Sequence, residues 1–422
     1  MASFTEETAQ DDKELIKTQI ELNKKYYYLV LLVLGLFNNF GYVLINSSAQ
    51  QLADHFDESS FMPFFTTSLT FLGIVTSYVN SSYLLKIPHL NKIKAMVSLC
   101  ALAYILVGLS NLINSKFGFF LALLGSVIMG ISGTLGEQTI LGFLKGFAPE
   151  LISGWGSGTG FAGVFGAGTN LLLRYFEVPG YLIFWGMIPT TLIYLGGFTW
   201  LHNQKCMMIE AQEESRDGQD GEYQGMPNSR GEVAESDKDK READINQVLT
   251  KDLFKRLWPS ISYLAANLGL VYFLEYTIIM IFADKATDQD VKSTDPLRKN
   301  SFILLQLSYQ IGVVISRSSL PIIKIRKVWI VTTLQLLNFF IWAWIAWDKT
   351  LTLTLEFLVM VWVGLMGGAS YVNVLYLTLE SPAIEKKDKE VSINIISICN
   401  NIGVLSATFV SYILEVTIYK NK

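Results

Sequence analysis

The sequence predicts an all-α, multi-pass membrane protein with about eleven transmembrane helices in two pseudo-repeated bundles. Three observations carry that prediction. Hydrophobic residues make up 51% of the 422 and charged residues 17%, whereas a soluble domain is about 25% charged. Apolar surface must therefore be hidden in something larger than the chain's own core, namely a bilayer. Eleven apolar runs fall into a group of six and a group of five, separated by one strongly charged stretch. The two groups also share residues in a common register.

The first segment, 1–25, "MASFTEETAQDDKELIKTQIELNKK", is charged throughout. It lacks the apolar core of a cleaved signal, so it reads as a cytosolic tail ahead of an uncleaved anchor. A span needs roughly 20 mainly apolar residues to cross about 30 Å of hydrocarbon. Such runs lie at 26–47, 61–85, 94–114, 118–144, 154–175 and 180–201, forming a six-helix N-terminal bundle over 26–201. Five more lie at 257–283, 300–318, 327–347, 351–378 and 391–414, forming a C-terminal bundle over 257–414. Of these, 300–318 and 391–414 carry many polar residues. Segment 202–256 includes "IEAQEESRDGQDGEYQGMPNSRGEVAESDKDKREAD"; it has too few apolar anchors to fold alone and reads as a disordered cytosolic linker. Residues 415–422 form a short C-terminal tail. Lys and Arg collect on the cytosolic side of such proteins. With a cytosolic N-terminus, the segments on that side hold 24 of them and the opposite side 9. An odd number of spans then puts the C-terminus in the lumen.

The first and seventh spans carry "LGLFNNFGY" (34–42) and "LGLVYFLEY" (268–276), matched at an offset of 234. Gly130 and Gly133 meet Gly364 and Gly367 at the same offset. Lys86-Ile87 meets Lys324-Ile325 at 238, and Gly163-Val164 meets Gly403-Val404 at 240. Two repeated halves joined by a long linker follow the plan of major-facilitator transporters, in which solute binds between the halves near the midplane. Here a twelfth helix is missing.

The stretch "GWGSGTGFAGVFGAG" (154–168) contains GxGxxG at Gly158, Gly160 and Gly163. That fingerprint binds dinucleotides only when a strand precedes it and a helix begins on it. Here it lies inside the fifth span. Gly156/Gly160, Gly154/Gly158, Ala162/Gly166 and Gly163/Ala167 are instead small-xxx-small pairs that let helices approach closely in lipid.

Charge inside a span is costly and marks candidate function. Glu137, in the fourth span, and Glu275, in the seventh, are candidates for proton coupling or for lining a cavity, with a structural hydrogen bond or salt bridge as the plainer alternative. Asn38 and Asn39 point about 100° apart on a helix, so one can line the cavity while the other bonds a neighbour. Tyr42, Tyr272 and Tyr276 either line the same space or pack. Arg317, in "ISRSSL", ends the eighth span; it can grip an anionic solute with its fork of donors or serve as an interfacial topology signal. Glu356 and Glu415 sit near span ends and read as interfacial.

The three cysteines are scattered without a CxxC, and no Ser/His/Asp or metal-ligand set is present. A net charge of -4 does not argue for nucleic acid. The chain is therefore expected to be no enzyme and to need neither cofactor nor metal. "DDKELI", with Asp11, Leu15 and Ile16, fits an acidic dileucine sorting pattern for adaptors on the cytosolic side.

At "LGLFNNFGYVLINSSAQQL", "GEQTILGF", "ISGWGSGTGFAGVFGA", "YFLEYTIIM" and "YQIGVVISRSSL" the sequence resembles the battenin family, that of the juvenile neuronal ceroid lipofuscinosis protein. The blocks run in family order from about residue 30 to 412, and the fungal-type vacuolar branch is the expected one. The resemblance implies a major-facilitator-like protein of the vacuolar or lysosomal membrane. It also implies a link to glycerophosphodiester export, basic amino acid (arginine) transport or luminal pH control. Glu137, Glu275 and Arg317 lie within the matching blocks. The C-terminal "YKNK" offers no prenylation box. The expected partners are membrane lipids, a small solute (an anionic phosphodiester or a basic amino acid), protons and sorting adaptors. A scaffold that regulates the proton pump or membrane traffic through the linker is the alternative function.

Overall fold

Inside a bilayer every backbone N–H and C=O must be satisfied within the chain, so each apolar run becomes a helix. The protein, described by a computed structural model over residues 2–56, 62–113, 115–217, 247–287, 294–299, 301–348 and 351–420, is helical almost throughout. In order, the helices of the first half are α1 (Ala2–His55), α2 (Met62–Phe71), α3 (Gly73–Val79, continuing into a π turn, Asn80–Leu84), α4 (His89–Ser110), α5 (Lys116–Phe143), α6 (Ile152–Tyr175), α7 (Gly180–Trp185) and α8 (Ile188–Asp217). The second half comprises α9 (Lys251–Thr277, then a π turn, Ile278–Phe282), α10 (Ala283–Thr287), α11 (Pro296–Lys299), α12 (Ser301–Ser318), α13 (Val328–Asp348), α14 (Leu353–Glu380) and α15 (Lys389–Thr417).

The expected boundaries of the tail and the linker move. Helix α1 begins at Ala2, inside the segment read as a tail, and α8 runs to Asp217, well into the segment read as a linker. Both extensions are polar continuations of an apolar helix, where propagation adds one bond per residue without a new nucleus. The linker's far end is set by Thr250, whose hydroxyl accepts the Leu253 N–H at 3.2 Å and caps α9. Residues 218–246 lie outside the described residues, as do the side chains of Asp11, Leu15 and Ile16.

Among the described residues, eight helices are by themselves long and apolar enough to cross a membrane. The runs 61–85, 154–175 and 300–318 correspond to α2–α3, α6 and α12, which are helical but broken, glycine-rich or polar. The reason is their position. Helix α6 packs on α12 and α3 packs on α15, so these helices form the seam between the halves, where small and polar residues replace lipid-facing ones.

The repeat read from the sequence recurs in the packing. Gly35 of α1 lies so close to α6 that a Cβ would reach Thr159 N at 3.0 Å. A Cβ on its counterpart Gly269 of α9 would stand 2.9 Å from Cys399 O of α15. Likewise a Cβ on Gly130 of α5 would stand 3.1 Å from the Leu69 Cα, and one on Gly364 of α14 would stand 3.0 Å from Val313 N of α12. The same pairs of helices meet at the same glycines in both halves.

The glycines of α6 serve two faces. Gly154 and Gly158 meet α1, whereas Gly156, Gly160 and Gly163 meet α12 and α14 of the other half. A Cβ on Gly158 would stand 2.8 Å from Leu36 N, against backbone that cannot swing away. Gly158→Leu is expected to destabilise the protein by about 3 kcal/mol or more, visible as a clear drop in melting temperature in detergent. An unchanged melting temperature would remove the close-packing role of this glycine.

Candidate functional site

Polar side chains from both halves converge where α5 and α6 face α9, α12 and α14. Glu137 of α5 accepts the Tyr371 hydroxyl of α14 at 2.5 Å, and Trp155 Nε1 of α6 donates to that tyrosine oxygen at 3.3 Å. Arg317, in the last turn of α12, lays its guanidinium over the Tyr371 ring, 4.3 Å from the centroid. Its Nη1 donates to Thr159 Oγ1 at 2.5 Å and its Nη2 to the Tyr272 hydroxyl at 3.1 Å. Glu275 of α9 accepts the Tyr309 hydroxyl through Oε1, while its Oε2 rests on Gly367 without a hydrogen-bond partner among the described residues. Tyr272 stacks on Tyr276 one turn along α9, with ring centroids 5.8 Å apart.

This arrangement has a particular electrostatic character. Both carboxylates are engaged by neutral tyrosine hydroxyls, and the arginine fork is held by a threonine and a tyrosine. Arg317 lies within electrostatic reach of Glu137 and Glu275, yet its named hydrogen bonds go to neutral oxygens. The guanidinium's bonds to these hydroxyls are already charge-assisted, and an oxyanion would add charge–charge attraction on the same planar fork.

The candidate residues divide. Glu137, Glu275, Arg317 and Tyr272 come together, with Tyr276 stacked beside them. Tyr42 is partly buried and a close electrostatic neighbour of Tyr276. Asn38 turns away into the first half, donating to Gly133 O at 3.0 Å and to Asn39 Oδ1 at 3.2 Å. Asn39 is the partly exposed member of the pair. Arg317 faces the interior and not a lipid headgroup. Glu356, read as interfacial, is buried at 5% exposure.

Tyr309, Tyr371, Thr159 and Trp155 were not among the expected site residues. One signal pointed to Tyr371: it stands 234 positions after Glu137, the offset of the repeat.

A second charged set joins the halves at the side that carries the linker. Glu390 of α15 is fully buried and receives Lys92 Nζ at 3.0 Å, His89 Nε2 at 3.3 Å and Lys145 Nζ at 3.5 Å, all from the first half. Breaking one partner of a buried pair costs about 3–5 kcal/mol. Close by, Lys324 meets Glu150 across the seam at 2.7 Å and holds its carboxyl below the usual carboxylate range. Being half-exposed, that pair contributes at most about 1 kcal/mol. Ser157 and Ser318 share a hydroxyl bond of 2.8 Å on the same side. The halves are thus clamped at the linker side.

Comparison with known proteins agrees with this architecture. The family described as CLN3 protein matches residues 29–421. Battenin of Dictyostelium discoideum is 31% identical over 405 residues, covering 89% of this chain and 91% of that one. Protein BTN1 of the fungus Chaetomium globosum is 27% identical over 410 residues, covering 90% and 86%. In fold, the chain is similar to XylE, a proton:xylose symporter of the major facilitator superfamily, with a TM-score of 0.58, 12% identity and 94% and 89% of the two chains covered. At that identity the likeness speaks for the fold alone. A family match over nearly the whole length, and a relative above 30% identity across most of both chains, settle the kinship: this multi-pass, major-facilitator-like membrane protein belongs to the CLN3 (battenin) family.

Proposed function

We propose that the protein is a solute transporter of the vacuolar or lysosomal membrane, with its N-terminus and linker in the cytosol, and that it works by alternating access between its halves. The observation that carries this reading is the set formed by Arg317, Glu137 and Glu275, built from both halves, with the Arg317–Thr159 and Tyr371–Glu137 bonds crossing the seam. Arg317 receives an anionic oxygen of the solute. That oxygen belongs either to a glycerophosphodiester or to the carboxylate of a basic amino acid such as arginine, whose cationic end then meets Glu137 or Glu275. The two acids carry the protons that couple transport to luminal pH. Asp11, Leu15 and Ile16 act as an adaptor signal, and the 24-to-9 distribution of Lys and Arg supports the orientation.

Purified protein in liposomes with an imposed pH gradient tests this. Labelled glycerophosphodiester or arginine should accumulate in a saturable, gradient-dependent manner, and the solute that accumulates identifies the class. If neither moves faster than in protein-free vesicles, the reading falls.

A further inference from the structure

The clamp at Glu390 is lopsided in its origin. The donor groups sit on the first half: His89 opens α4 directly after Pro88, Lys92 lies one turn along the same face, and Lys145 sits in the 3-10 turn that ends α5. The His89 ring packs edge-on against Phe143, with centroids 5.7 Å apart, and Lys205 of α8 places its ammonium over the Phe143 ring, 4.4 Å from its centroid. His202, also on α8, stacks on Phe143 as well. The carboxylate on which the cluster converges comes from the opposite half. Gly142 keeps its place open, since a Cβ there would stand 2.5 Å from the Glu390 Cγ.

The side chains in the clamp are at most 4% exposed, and Lys92 pairs with Glu390. If the halves part on the linker side, as the transport reading above requires, α15 withdraws its carboxylate. What remains on the first half is a preformed group of N–H donors within 3.5 Å of where an oxyanion had been. A cleft lined by one sign of charge concentrates the opposite ion. A ligand that binds only the parted state shifts the population toward it.

We infer that His89, Lys92 and Lys145 form a receiving site for an anionic oxyacid group, phosphate or carboxylate, that takes the place of Glu390 when the linker side opens. Glu390 is then a tethered stand-in for that anion. The anion's arrival on the linker side favours opening, so access is gated by ligand at a point separate from Arg317.

Spin labels at Ile87 and Lys386, exposed on the linker side of opposite halves, report the parting by their distance in phosphatidylcholine nanodiscs. Inorganic phosphate should raise the long-distance fraction at least threefold, and chloride at equal ionic strength should not. Glu390→Gln should show long distances without phosphate, while Lys92→Gln combined with Lys145→Gln should show no added response to phosphate. Long distances appearing without phosphate in nanodiscs containing phosphatidylglycerol would identify lipid headgroups as the source of the anion. Wild-type distances unmoved by phosphate and by anionic lipid overturn the inference, and they do so even if a variant fails to fold. Phosphate-dependent parting in a protein that moves no solute keeps this site and removes the transport reading. Solute flux without any response to phosphate does the reverse.

Discussion

Arg317→Met is expected to lose solute binding and a large part of the protein's stability together. Arg317 is the cation within electrostatic reach of both Glu137 and Glu275, and its removal leaves two acids held by tyrosine hydroxyls in a weakly polarisable surrounding. Stripping the partner from a buried charge costs about 3–5 kcal/mol, which by the per-residue scaling for a chain of 422 residues lowers the melting temperature by roughly 3–6 °C. Thr159 and Tyr272, from opposite halves, would also lose the guanidinium that bridges them at 2.5 and 3.1 Å. Arg317→Lys separates the two effects. An ammonium keeps the charge but cannot serve both oxygens as a planar fork, nor stack on Tyr371 in the same way. The lysine variant should melt close to the wild type and still bind solute about tenfold or more weakly. Thermal melts in detergent and binding isotherms check both variants. Wild-type stability and saturable flux in Arg317→Met would show that the arginine does not organise the site.

Glu275→Gln should separate transport from its driving force. The carboxyl is buried at 2% exposure, donors among the described residues reach one of its oxygens only, and Gly367 leaves it just enough room. An amide is nearly isosteric and can still accept the Tyr309 hydroxyl, so folding and membrane delivery should persist. An amide cannot lose and regain a proton at these pH values. Flux driven by a pH gradient should fall by about two orders of magnitude, as it does in enzymes that lose a positioned proton-transfer group, while solute exchange across the membrane stays within about twofold of wild type. Glu137→Gln, which keeps the Tyr371 hydrogen bond through its carbonyl oxygen, tests the other acid. If both single amides and the double variant transport normally with an unchanged pH response, neither acid couples, and both become structural hydrogen-bonding partners.

Several features were legible in the chain because they are local or periodic. Apolar runs of bilayer length define where helices form, since no other structure satisfies the backbone in hydrocarbon. The 234-residue register between Gly35 and Gly269, and between Gly130 and Gly364, reappears as matched helix contacts because only glycine permits backbones to approach so closely. Glu137 and Glu275 stood out because charge inside an apolar run is expensive wherever it falls.

Partnership across the seam was decided by the tertiary structure. Tyr309 and Tyr371 look like any packing aromatic until the helix opposite each of them is known, and it then offers a carboxylate. Arg317, at a span end, could also be read as an interfacial topology signal, and its bonds to Thr159 of α6 and Tyr272 of α9 turn it inward. Glu390 follows three lysines at a helix start and reads as an ordinary interfacial charge, yet its partners lie 301, 298 and 245 positions earlier in the chain. Local spacing sets which face of a helix a side chain occupies. Which helix that face meets depends on the docking of the two halves, a property of the folded whole that no single stretch of sequence contains.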